Sequence, residues 1–263
     1  MLKRILKLCL LPYKWLKRFI EPKLKFKHDK LEYIRQTGDS LLFKYDSVNE
    51  KRMLYDYREP AGCIDGHYFF QDIFVAKYIL EHKIQHVYDI GSRIDGYISH
   101  LLGGGVKVTM IDIRPFPISV ENLDFIQGDA TNLISVKDES LPVLTSLHAL
   151  EHFGLGRYGD GVDYNGWKKA LNTFANKVQK NGLLIVSVPI GNDNKLMFNA
   201  HRIFTPITIY NEISDRMSLL SFTKIQNCKI ETFDLTDNIS INLLMIQKTL
   251  GQYDCGIFIF KKS

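Results

Sequence analysis

From Tyr68 onward, short apolar runs of strand length alternate with longer stretches whose apolar residues recur at helical spacing, and no other feature restricts the possible folds so strongly. FFQDIFVAKYILEHK reads as a helix, HVYDI as a strand, the glycine-bounded stretch after it as a helix, and KVTMID, LDFI and VLTSLHAL as further strands. A helix follows in which Trp167, Ala170, Leu171, Phe174 and Val178 share one face, with Asn181-Gly182 as its expected stop, and LLIVSV is the next strand. Strands joined through helices run parallel, because each crossover returns the chain to the same end of the sheet. The expected architecture is therefore α/β, a mostly parallel open sheet with helices on both faces and its ligand site beyond the carboxyl ends of the strands. TFDL, NLLMIQ and GIFIF read as β-like runs and predict late antiparallel strands at the sheet edge. Residues 68–263 are expected to form this domain, and 31–67, broken by Gly38, Pro60 and Gly62, an irregular lead-in.

Three strand ends carry acids. Asp89 precedes Gly91, Ser92 and Arg93 where the chain must turn sharply after HVYDI, and a glycine there lets backbone pass close to a ligand. Asp112 ends the next strand, 21 residues after Gly91, where a carboxylate can accept from both hydroxyls of an adenosine ribose. Asp129, followed by Ala130, ends the LDFI segment and is placed to accept from an adenine amino group.

This set of acids resembles the motifs of class I S-adenosylmethionine-dependent methyltransferases, which implies a Rossmann-like methyltransferase fold and S-adenosylmethionine as cofactor. The sequence departs from that pattern at Arg93, which stands where the first loop usually has a second glycine, with Gly96 three residues later. A cation there either crowds the methionine end of the cofactor or grips its carboxylate. YFFQD, DIGSR, IDIRP, GLGRYGD and FNAHRIF together resemble the methyltransferase-like family called Domain of Unknown Function 268. That resemblance implies the fold, and some bacterial members accompany surface-polysaccharide genes.

The densest polar block, SLHALEHFGLGRYGDGVDYNGW, threads His148, Glu151, His152, Arg157, Tyr158, Asp160 and Asp163 through glycines after the fourth strand. HALEH matches the inverted zinc-protease pattern, but His148 falls in a strand rather than on a helix and no downstream helix offers a third ligand, so no metal is expected. Methylating a sugar hydroxyl needs a general base, because the group is barely ionised near neutral pH; Glu151, His152 and Asp160 are the candidates, with His201 as a further catalytic candidate. Arg157 and Tyr158 are read as substrate-binding, Arg157 alternatively as an ion-pair partner of Asp160 or Asp163. Asn199-Ala200-His201-Arg202 leaves another strand end before a helix starting at Thr205-Pro206, and His201 and Arg202 suit an anionic acceptor such as a nucleotide sugar or lipid-linked glycan. Both clusters leave neighbouring strands and are expected to converge in one cleft, with a base inside and Arg202 toward the mouth.

Composition removes the remaining classes. With 45% hydrophobic and 24% charged residues the chain is neither disordered nor fibrous, and Cys9, Cys63, Cys228 and Cys255 are too scattered for a disulfide framework, which fits a cytoplasmic setting. Residues 1–30 hold ten Lys and Arg against two acids, whereas the remaining residues are net negative, so general nucleic-acid binding is not expected. In that segment Leu2, Ile5, Leu6, Cys9, Leu16, Phe19 and Ile20 alternate with Lys3, Lys7, Lys14, Lys17 and Arg18, predicting a basic amphipathic helix kinked at Pro12. It is too interrupted to span a bilayer; the anionic inner membrane surface, its own domain or a partner protein is what it would cover. The expected activity is methyl transfer to a glycan or nucleotide-sugar hydroxyl, the alternative a non-catalytic fold of the same type that binds a glycan or a protein.

Overall fold

The computed structural model describes residues 17–38, 43–58, 62, 64, 66–235 and 237–263. They fall into two compact units, Met1–Ile64 and Asp65–Ser263. In the first, α1 (Glu21–Thr37) has Pro22 in its first turn, where a missing N–H costs nothing. Arg58 pairs with Glu21 at 3.1 Å and donates to the carbonyls of Lys17 and Arg18, while Glu50 collects Lys30, Tyr45 and Arg52. The helix runs past residue 30 and leaves Leu24, Leu31 and Ile34 exposed. Residues 1–16 of the expected amphipathic helix lie outside the described residues. No helix among the described residues is long and apolar enough to cross a membrane.

The second unit alternates as expected: α2 (Tyr68–Glu81), β1 (His86–Ile90), a one-turn segment at Ile94–Ile98 leading into α3 (Ser99–Gly103), β2 (Lys107–Asp112), β3 (Leu123–Gln127), β4 (Leu141–Leu147), α4 (Gly166–Lys177) and β5 (Val178–Ile190). A short hairpin, β6 (Lys195–Met197) with β7 (His201–Ile203), precedes α5 (Pro206–Ile213), β8 (Met217–Gln226), β9 (Lys229–Asp234), α6 (Ile239–Gln247) and β10 (Asp254–Lys262). The eight-stranded sheet has the order β3-β2-β1-β4-β5-β10-β8-β9. β1 to β5 pair in parallel, β10 runs antiparallel between β5 and β8, and β9 is the antiparallel edge. Apolar residues alternate across it. Leu184, Val186 and Phe258 pack with α4, α5 and α6 on one face, and Ile185 and Ile257 pack with α2 and α3 on the other.

Three local expectations are corrected. NLLMIQ is not a strand but the body of α6; its residues are apolar all round, so periodicity could not separate the two states, and burial of Leu243 and Ile246 decides. GIFIF is a strand, but an inner one. Its Cys255–Phe260 stretch is buried on both faces, which an edge position cannot provide. Asn181-Gly182 does not stop α4, which ends at Lys177 directly into β5; Asn181 takes φ +62° where the pairing of β5 with β4 shifts register.

The turn after β1 depends on Gly91, which has φ +72° and whose missing Cβ would lie 2.9 Å from Ala149 Cβ. Left-handed backbone and the close approach of the Ala149 side chain just beyond β4 act together there. Gly91→Ala is expected to cost about 2–4 kcal/mol, the sum of both effects, read as a lower midpoint in urea unfolding with unchanged slope. A variant as stable as the parent would show that the turn relaxes freely.

Candidate functional site

β1 and β4 are neighbours whose crossovers depart in opposite directions, and the crevice this creates opens into a cavity of about 780 Å³. Its floor is the turn after β1. Asp89, fully buried, accepts from Ser92 N (3.0 Å), Ser92 Oγ (2.7 Å) and Thr145 Oγ1 (2.6 Å), and Ser92 Oγ in turn accepts from Leu147 N. This carboxylate does not line the cavity; it sets the loop that does. Burial lifts its pKa to about 6 against the opposing hydrogen bonds from Thr145 and Ser92.

Gly91, Ser92, Arg93, Asp112, Asp129 and Ala130 all line this one cavity, with Ile111, Phe116 and Phe125 as apolar wall. Arg93 is drawn aside by Asp95 (2.8 and 3.1 Å) and lies over the Tyr68 ring at 5.5 Å. Asp112 is engaged by Arg114 through its backbone N, Nε and Nη2. Burial raises the Asp112 carboxyl, but the Arg114 contacts outweigh it and leave its pKa below the usual value. Arg114 also lies over the Tyr158 ring at 4.6 Å, joining the β2 end to the glycine-rich loop. Asp129 accepts from Thr131 N and Oγ1.

The rim after β4 is organised around a buried carboxylate. His148 leaves the strand with φ +50° and donates through its N–H to Ser187, and the chain then turns through Leu150–His152. Glu151 is 2% exposed; its Oε1 is 2.9 Å from His148 Nδ1 and 3.7 Å from His152 Nε2. Burial opposes charge on His148, yet the adjacent Cys255 and Glu151 hold its pKa well above the ordinary value. His152 contacts Ala200 O through Nδ1 (2.7 Å), which places its proton on that nitrogen, and burial keeps its pKa below the usual value.

The expected convergence is realised only in part. Of Glu151, His152, His201 and Arg202, His152 alone lines the cavity, and Glu151 lies buried behind it. Arg202 is not at the mouth: its Nη1 donates to Phe153 O (2.7 Å) and Glu151 O (3.4 Å), clamping the turn. His201 packs against Tyr253 with ring centroids 5.2 Å apart, and burial lowers its pKa. Asp160 lines the cavity while its carboxylate accepts from the N–H groups of Gly154, Gly156 and Tyr158. Arg157 pairs with neither Asp160 nor Asp163; it donates to Ala200 O (2.8 Å) and lies over Tyr158. Residues not anticipated are Arg114 and Tyr68, both lining the cavity. Arg114 stood two positions after Asp112, in reach of a short Asx-type turn.

The strand order and this crevice are those of the class I S-adenosylmethionine-dependent methyltransferase fold. A structure from Galdieria sulphuraria described as a sarcosine dimethylglycine methyltransferase aligns with TM-score 0.50 at 12% identity, over 74% of this chain and 86% of that one. Also similar are the Burkholderia thailandensis 1,6-didemethyltoxoflavin-N1-methyltransferase, solved with S-adenosylhomocysteine (TM-score 0.49, 14% identity, 73% and 78% coverage), and the Bradyrhizobium japonicum N-methyltransferase NodS (0.48, 11%, 75% and 89%). No curated protein sequence is a significant match. The chain belongs to the DUF268 family, whose model, described as "Caenorhabditis protein of unknown function, DUF268", matches residues 119–251.

Because the folded-state pKa of Asp89 is raised, the unfolded chain releases this proton first, and the stability tied to it is present below about pH 4 and declines as pH rises to about 6. A rise of about two pKa units is on the order of 3 kcal/mol across that window. Asp89→Asn is expected to flatten the decline, measured as unfolding free energy in urea at successive pH values. Parallel curves for parent and variant would remove Asp89 as the source.

Proposed function

We propose that the protein is an S-adenosylmethionine-dependent methyltransferase acting on a small-molecule acceptor. The observation carrying this reading is that a glycine turn and two strand-end acids from three successive strands meet around one cavity of about 780 Å³, a size that suits a nucleoside-bearing cofactor. The donor set fits its parts: carboxylates accept hydroxyl and amino protons, the backbone at Gly91 leaves room for close approach, and Ile111, Phe116 and Phe125 give an apolar wall for a base. When bound, the cofactor supplies an electrophilic methyl group on a sulfonium. Asp112 would hold the ribose hydroxyls and Asp129 and Ala130 the adenine side, with Gly91, Ser92 and Arg93 at the methionine end and Asp89 fixing their loop.

His152 is assigned as general base. Its proton is on Nδ1, its depressed pKa keeps the ring neutral near pH 7, and the Nε2 lone pair lies beside Glu151, whose charge would stabilise the imidazolium after proton uptake. A neutral base in this place suits a hydroxyl acceptor, which must lose its proton as it attacks the methyl group. Arg93, Arg114 and Arg157 around Tyr68 and Tyr158 give cations and aromatic faces suited to the phosphate and ring of a nucleotide sugar or a lipid-linked glycan. His201 and Arg202 support this rim from behind, and Asp160 holds its loop. The ion pair of Arg114 on Asp112 favours a second reading, a non-catalytic fold binding a glycan or protein, because the group meant for the ribose is already engaged.

Calorimetric titration separates the two. The parent is expected to bind S-adenosylmethionine and S-adenosylhomocysteine, and Asp112→Ala to weaken both by about 100-fold, the loss of two charge-assisted hydrogen bonds. His152→Ala is expected to keep that affinity while losing about 10²–10⁴ in kcat. A parent that binds neither molecule would establish the binding-only reading.

The basic N-terminal segment is proposed to dock on an anionic membrane face, on the strength of its ten Lys and Arg against two acids within 30 residues. Reversing Lys3, Lys7, Lys14, Lys17 and Arg18 to Glu in the full chain is expected to abolish sedimentation with vesicles containing phosphatidylserine. Parent binding should weaken with added salt. Equal sedimentation of both proteins would leave packing or a protein partner as its role.

A further inference from the structure

Three groups that the methyl-transfer reading does not use meet at one corner of the cleft. His67 stands immediately before α2, His148 follows β4, and Cys255 is the second residue of β10. One ligand atom from each lies within 4.8 Å of the other two. Cys255 is fully buried, His148 is 6% exposed, and His67 is half-buried.

The chemistry of His148 is what makes this a site rather than a coincidence of polar residues. Its Nδ1 is used on Glu151 Oε1, and its opposite nitrogen, Nε2, is buried without a hydrogen-bond partner. Such an orphan costs about 1–3 kcal/mol and calls for an occupant. A carboxylate behind one imidazole nitrogen keeps the proton there, so a zinc ion would displace the proton of Nε2 and take that lone pair, the arrangement that backs metal-bound histidines. The Cys255 thiol makes a long contact, 3.8 Å to Gln71 Oε1, and lies beside His148, whose pKa it helps to raise. Two imidazoles and a thiol form a donor set for zinc, not for the oxygen-seeking magnesium or calcium.

We propose that His67, His148 and Cys255 form a three-ligand zinc site, with Glu151 as the positioning residue behind His148 and a fourth coordination position left to water or a further ligand. Ligand atoms around tetrahedral zinc are about 3.5 Å apart, so the set must close by roughly 1 Å. His67 would provide that movement, being half-buried on the loop before α2, where it stacks on Tyr253 at 5.2 Å and on His148 at 5.8 Å and hydrogen-bonds the Tyr253 backbone. The ion would join the start of α2 to the carboxyl end of β4 and to β10. His148 also lines the cleft, which places the ion beside the rim. These ligands are not the pair in HALEH, since His152 turns Nδ1 to Ala200 O. The site replaces the expectation of no metal and stands independently of methyl transfer.

Tag-free, full-length protein dialysed against metal-free buffer after zinc loading is the material for the test, with zinc read by plasma mass spectrometry. About one zinc per chain is expected in the parent, in His152→Ala and in Cys228→Ser, and none in His67→Ala or Cys255→Ser. Glu151→Gln is expected to weaken zinc binding by about 10–100-fold. Cobalt in place of zinc should give a thiolate-to-metal absorption band in the parent that Cys255→Ser lacks. Should that buried substitution prevent folding, His67→Ala and the cobalt spectrum of the parent decide. A folded parent without stoichiometric zinc and without the thiolate band overturns the site, as does zinc retained in His67→Ala or lost in His152→Ala. Affinity for S-adenosylmethionine, measured on the same samples, reports on the methyl-transfer reading separately.

Discussion

The buried carboxylate of Asp89 is the constraint on which the functional end of the sheet depends. It takes three hydrogen bonds from Ser92 and Thr145, and through Ser92 Oγ it reaches the backbone of Leu147. One group thus fixes the turn after β1 against the end of β4, the two strands between which the crevice opens. Burying a carboxylate is expensive, and its raised pKa records that cost. The return is a rigid loop whose Gly91 passes close to Ala149, with no freedom to fill the crevice it borders.

Around that crevice the acids divide between lining and support. Asp112, Asp129 and Asp160 line the cavity, the last with its carboxylate taken up by backbone N–H groups, while Asp89 is buried and taken up by its own loop. The same division holds for the cations: Arg202 clamps the carbonyls of Glu151 and Phe153, whereas Arg93 and Arg114 remain at the cavity wall. The proposed role of His152 as the rim's base rests on its place in the cavity wall beside a buried carboxylate and on a pKa that burial holds below the usual value.

Glu151 links the two proposed activities of this rim. It lies between His148 and His152, so one carboxylate serves an imidazole facing the cleft and another facing His67 and Cys255. A low-dielectric position strengthens both interactions, and it also makes an unpartnered nitrogen costly. That pairing explains why Glu151 is almost fully buried although it belongs to a polar loop.

The sequence by itself determined the alternation of strands and helices, the placement of three acids at successive strand ends and the glycine turn, because each is written in a local period or a fixed spacing. It also placed His152 at a strand end. It could not separate helix from strand in NLLMIQ, where apolar residues occur on every side, nor move GIFIF from the edge to the interior, since burial on both faces is a property of neighbours. Only the tertiary structure decided that Arg114 closes on Asp112, that Arg202 grips the Leu150–Phe153 turn, and that His67, His148 and Cys255 meet. Those three residues are separated by 81 and 107 positions, and no local pattern encodes a contact made by the packing of a helix start, a strand end and an antiparallel strand inserted last into the sheet.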